Sequence, residues 1–200
     1  EDLWSSEGAQ VGIDLWLTTC AASGDFRVGE AALGDWAQTA PGEDTLDLGT
    51  TLTQVVGSLF TDLEDRVERW QRVRGSVPVQ QFGEAVSVAR LQGSPVDAER
   101  FIEAYQLGYR ELRDIWTWVL PPKALVDLGR LVKEAPTKFS FDDELWARIV
   151  YDFAIAHRLR VFGRDHLLRS LVPLYLGWLA SFILQVRDCP AAAVDDRVER

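Results

Sequence analysis

The feature that most restricts this chain is the return of apolar side chains every three or four residues, broken repeatedly by proline, glycine and polar clusters. Leu48, Leu52, Val55, Val56, Leu59, Phe60, Leu63, Val67 and Trp70 follow that spacing without interruption. A helix presents such positions on one face, whereas a strand needs a period of two, so the run predicts one long amphipathic helix. Its other side carries Asp62, Glu64, Asp65, Arg66, Glu68 and Arg69, which read as a solvated charged face.

The same reasoning continues along the chain. Residues 9–22 hold Ile13, Leu15, Trp16, Leu17 and Cys20 in a run that fits a helix. Asp97 can accept the free amides of the next turn, so it predicts the start of a helix carrying Phe101, Tyr105, Leu112, Ile115, Trp116 and Val119, ended by Pro121 and Pro122. A shorter helix is expected over residues 123–133, and Ser140, Asp142, Asp143 and Glu144 supply an acidic start for another, with a core stripe of Leu145, Ile149, Phe153 and Ala156. The final helix, residues 165–186, contains Pro173 and Gly177. Its uncharged stretch, residues 171–184 between Arg169 and Arg187, is shorter than the roughly 20 residues that span a bilayer, so it reads as a core helix and no membrane span is expected.

Only two places suggest strands. Phe26 and Val28, followed by Ala31, Ala32, Leu33 and Gly34, read as a strand entering a turn; between residues 75 and 95, Val77 and Val79, then Val86 and Val88, alternate around Phe82 and Gly83 as a short hairpin or extended arm. The expected fold is mainly α, a helical bundle with a short β element near the N-terminus.

With 47% apolar and 26% charged residues, the 200-residue chain has the balance of a folded domain. A net charge of −10 argues against nucleic acid as a partner, because phosphate backbones are held by clustered Lys and Arg. Cys20 and Cys189 have no disulfide or metal-ligand spacing, which suits a reducing, cytoplasmic setting. The chain opens on Glu1 and contains no methionine, so it is expected to be a processed or excised piece, and it lacks the glycine-rich phosphate loop of a nucleotide-binding half.

Three stretches carry a resemblance. They are Gly12-Ile13-Asp14-Leu15-Trp16-Leu17-Thr18-Thr19 with Phe26-Arg27-Val28 and Leu33-Gly34; Leu48-Gly49 with Gln54-Val55-Val56-Gly57-Ser58-Leu59-Phe60; and Glu144-Leu145-Trp146-Ala147-Arg148-Ile149-Val150-Tyr151-Asp152-Phe153, continued by residues 168–177 and Ala180-Ser181-Phe182. In this order they resemble bacterial glycosyltransferases of the A-type nucleotide-sugar transferase fold, the group containing glucosyl-3-phosphoglycerate synthase and mannosylglycerate synthase. The resemblance implies that residues 1–40 end a catalytic α/β core, with an acceptor-side helix and last strand, and that residues 41–200 form a C-terminal helical domain. It also implies transfer of a hexose from a nucleotide diphosphate sugar to a small hydroxylated acceptor, an N-terminal nucleotide-sugar-binding segment as partner, a divalent metal (Mg or Mn), and pairing of protomers as a homodimer. Such a piece is not expected to be active alone.

The resemblance places Asp14 where a carboxylate orients the acceptor hydroxyl or accepts its proton. Read without it, Asp14 is a capping or solvent-facing residue. Two departures stand out. Relatives carry a His after the last core strand to help hold the metal, whereas this chain has Asp35-Trp36-Ala37-Gln38, leaving Asp35 as the metal ligand and Gln38 with only a neutral oxygen. Thr50-Thr51-Leu52-Thr53 stands where a basic residue is expected before Gln54. Trp16 and Trp36, among eight tryptophans, are the candidates for stacking on a sugar, although Trp16, Trp116, Trp118, Trp146 and Trp178 lie in helical stripes that core packing also accounts for. His157 reads as a core-edge residue and His166 as a surface or capping group. The alternative to a transferase is a noncatalytic helical interaction or scaffold domain whose activity has lapsed.

Overall fold

A computed structural model describes residues 9–24, 26–31, 48–75, 78–83, 97–187 and 189; the side chains of residues 9–14 are outside the description. Among the described residues the chain forms seven α-helices and one two-stranded sheet, so the mainly helical expectation holds. It divides into two compact units, Glu1–Gln92 and Gly93–Arg200. Residue 40, the boundary implied by the resemblance, lies outside the described residues.

In the first unit, α1 (Ala9–Ser23) packs on α2 (Leu48–Asp65). The long helix expected from residue 48 to Trp70 is in fact interrupted. Arg66, at φ −118° and ψ 30°, leaves helical geometry, and the short α3 (Val67–Trp70) follows. The charged face is not uniformly solvated either. Asp62 is buried at 7% exposure and pairs with Arg66, which also donates to Cys20 Sγ over 3.2 Å. The Arg66 guanidinium thus serves a buried carboxylate and also reaches another helix, contacts that apolar spacing does not reveal.

β1 (Gly29–Ala31) pairs in parallel with β2 (Gln80–Phe82), Gly29 opposite Gln80 and Ala31 opposite Phe82. The partner of β2 is thus the strand before α2, and the connection is a crossover rather than a tight turn. Val86 and Val88, the second arm of the expected hairpin, lie outside the described residues. All six strand residues are exposed.

The second unit is built on two long helices, α4 (Ala98–Val119) and α7 (Arg164–Val186), which share its most extensive interface. Asp97 caps α4 as expected, its carboxylate accepting from the amides of Glu99 at 3.0 Å and Arg100 at 3.4 Å. Asp97→Ala should lower the stability of this unit by about 1 kcal/mol, the usual worth of such a cap, read as a reduced urea midpoint at constant slope. Pro121 and Pro122 both end α4 and open α5 (Pro122–Leu131), where a missing N–H costs nothing. Asp142 caps α6 (Asp143–Leu159) by accepting from Leu145 N at 3.1 Å.

Close approach of α4 and α7 depends on two glycines. A Cβ on Gly108 would lie 2.3 Å from Pro173 Cβ, and one on Gly177 would lie 2.9 Å from Tyr105 Cγ. The two helices therefore interlock, each glycine receiving a ring from the other. Ile102, Tyr105 and Trp116 of α4 and Leu167, Leu171 and Leu174 of α7 are almost fully buried there, each contributing roughly 1.5–3 kcal/mol or more by leaving water. Tyr105 donates to Leu128 O at 2.8 Å, and burial pushes its hydroxyl well above the ordinary tyrosine value, so it remains a donor. Ser181 Oγ accepts from Phe141 N at 2.9 Å, tying the segment before α6 to α7.

α7 matches the helix expected over residues 165–186 to within one residue, its charged first turn starting at Arg164. Its 23 residues are long and apolar enough to cross a membrane by length and composition, and 44% of its most apolar window is buried within the protein. α6 buries Ile149, Phe153 and Ala156 as expected, with Leu145 half-buried. It also carries a second apolar stripe that the core does not use: Tyr151, Ile155 and Leu159 are 70%, 56% and 68% exposed.

Candidate functional site

The residues proposed to touch substrate fall in the first unit. Asp14 lies in the second turn of α1, and its side chain is outside the described residues. Trp16 is half-buried on the same helix, and its carbonyl accepts from Thr19 Oγ1 at 3.1 Å. Further along α1, Leu15 is half-buried and Thr19 buried, whereas Leu17 and Thr18 are exposed. Asp35, Trp36 and Gln38 lie outside the described residues. Of the five, only Trp16 therefore has a described side chain.

The C-terminal end of α1 is a polar junction with α2 and α3. Its last carbonyls have no helical partner and carry the negative end of the helix dipole. Arg69 serves them, donating to Ser23 O at 3.0 Å and, in a short contact, to Ala22 O. Together with Arg66 it fastens α2 and α3 to α1 through the guanidinium contacts to Ala22, Ser23 and Cys20. Next to this junction is a cleft of about 730 Å³ lined by Ser23, Asp65, Arg66, Glu68, Arg69 and Arg72, among others. Periodicity gave these residues only a solvated role. The signal that could have singled them out is the recurrence of Arg66, Arg69 and Arg72 at every third residue in an acidic chain.

The second unit has a smaller cleft of about 420 Å³ between α5 and the start of α6, lined by Asp127, Arg130, Glu134, Lys138 and Asp142 above Leu131, Phe141 and Leu145. Its charges partly satisfy themselves: Arg130 faces Asp127 at 3.7 Å, and Asp142 is occupied in capping α6. Most tryptophans here have structural work. Trp116 is wholly buried and donates to Ser170 O at 3.0 Å; Trp146 stacks on Trp178 at 5.6 Å and 15°, and Trp178 donates to Asp143 Oδ1. Trp118 departs from the core expectation, standing 74% exposed near the end of α4.

His157 is more deeply placed than a core-edge residue, at 2% exposure in the last turn of α6, while His166 is exposed as expected. Asp152, five residues before His157, has its carboxyl pushed above the ordinary value by partial burial. Among the described residues no group of three or more His, Cys, Asp or Glu side chains is placed to hold a metal ion. The chain matches no family model, no curated protein and no solved structure.

Proposed function

We propose that this chain is the acceptor-side portion of a cytoplasmic glycosyltransferase, one that moves a hexose from a nucleotide diphosphate sugar to a small hydroxylated acceptor. The observation that supports the reading best is the α1–β1–α2–β2 order with β1 and β2 parallel. A strand, a helical crossover and a parallel strand are the repeating unit of α/β folds, in which ligands meet the strand ends. Parallel sheets are ordinarily covered on both faces, yet all six strand residues here are exposed, which favours an additional segment that extends or covers this sheet.

In this reading Asp14 orients the acceptor hydroxyl or takes its proton, and Trp16 and Trp36 flank the sugar. Asp35 and Gln38 approach the donor phosphates. Magnesium or manganese, if bound, neutralises charge on the departing diphosphate. The described residues offer it no cluster of ligands, and Asp35 is the residue that would hold it.

Calorimetric titration of the intact polypeptide with a panel of nucleotide diphosphate sugars, with and without manganese, tests the reading. Saturable heat with one donor is expected, strengthened by the metal. No heat with any donor would sink it and leave the second reading, a helical interaction domain that pairs with another copy of this chain. The exposed stripe of Tyr151, Ile155 and Leu159 on α6 favours that reading, because three large apolar side chains on one helix face suit an interface with a like surface.

A further inference from the structure

We propose that the exposed face of α6, from Tyr151 through Ile155 to Leu159 and on to Val161, seats the protein on an anionic lipid surface, with Arg158 engaging head-group phosphates. The inference is independent of the transfer reading, because it concerns this face whether or not the chain handles a sugar.

Exposure is the first reason. Tyr151, Ile155 and Leu159 recur at intervals of four, so they share one side of the helix, while Ile149, Phe153 and Ala156 bury the other. The helix ends at Arg160, whose left-handed backbone (φ 54°) turns the chain and leaves Arg160 and Val161 exposed after the stripe. Because Ile149 and Phe153 stay in the core, α6 enters the lipid interface only by its outer face.

Charge decides what covers the stripe. The chain has a net charge of −10, yet from Glu144 to Arg169 five arginines stand against three acids. Glu144 and Asp165 each pair with an arginine one turn on, Arg148 and Arg169, so within this stretch Asp152 alone is set against Arg158, Arg160 and Arg164. Arg148 stands three residues before Tyr151 and Arg158 three after Ile155, so both exposed arginines border the stripe. An arginine can lay its aliphatic stem along apolar neighbours while its guanidinium reaches outward to phosphate.

Large apolar side chains bordered by arginines are the composition of helices that lie in the plane of a membrane interface. A like surface would bring further arginines to the stripe, whereas anionic head groups neutralise those already there.

Flotation of the intact protein with vesicles of phosphatidylcholine alone, and of phosphatidylcholine mixed with an equal part of phosphatidylglycerol, tests this. Saturable binding to the mixed vesicles is expected, about tenfold weaker or more on phosphatidylcholine alone, and falling as salt is raised. Ile155→Ser combined with Leu159→Ser should reduce binding about tenfold or more, and Arg158→Glu about tenfold. Leu107→Ser, at an exposed leucine of α4, should leave it unchanged. Every substituted side chain is exposed, so thermal midpoints should match the parent's; should the apolar pair disturb folding, Arg158→Glu and the salt response still decide. No binding to the mixed vesicles, equal binding to both kinds, or an equal loss in Leu107→Ser overturns the proposal. A dimer in sedimentation that the Ile155→Ser, Leu159→Ser variant dissolves, without vesicle binding by the parent, also overturns it and assigns the stripe to a second copy.

Discussion

Asp14→Asn is expected, on the proposed transferase reading, to lower sugar transfer by about a hundredfold or more while leaving the thermal midpoint close to that of the parent. The amide has nearly the size of the carboxylate and a comparable helix propensity, so α1 should form as before. What the amide loses is charge and basicity, the two properties needed to orient a hydroxyl and draw off its proton. The loss should appear mainly in kcat, because the interaction grows as the hydroxyl attacks. Steady-state rates of the intact protein and its variant decide the matter; equal rates would remove Asp14 from the proposed chemistry.

Trp116→Ala should cost the second unit about 3–5 kcal/mol. The indole is wholly buried between α4 and α7 and tilts against the Tyr109 ring at 6.0 Å. It also donates to Ser170 O at 3.0 Å. That carbonyl lies one residue beyond Arg169, whose carbonyl loses its helical donor because Pro173 has no N–H. Truncation therefore opens a cavity and strips a buried acceptor of a partner beside a proline in the same helix. A drop in the thermal midpoint on the order of 10 °C or more is expected for a unit of this size. A loss below about 1 kcal/mol would mean that the α4–α7 interface is not the main support of the unit.

Much of the helical plan was legible because its signals are local. Asp97 and Asp142 act within three residues of themselves, and Pro122 needs no partner beyond its own ring. The break at Arg66 was not legible, since the spacing of Leu63, Val67 and Trp70 continues through it and the contact of Arg66 with Cys20 reaches a different helix. Trp116 and Trp118 looked alike in sequence, yet one is buried and the other 74% exposed. Of the candidate site, the resemblance supplied the residues, and only Trp16 has a described side chain.

Helix positions, their caps and the apolar faces of α4 and α6 were determined by the sequence itself, because hydrogen bonds and periodicity within a few residues suffice for them. Tertiary structure alone decided that β1 and β2 run parallel, that Gly108 receives Pro173 and Gly177 receives Tyr105, and that Arg66 and Arg69 converge on α1. Each of those contacts joins residues dozens of positions apart, and its energy exists only once the chain has folded to bring both sides together.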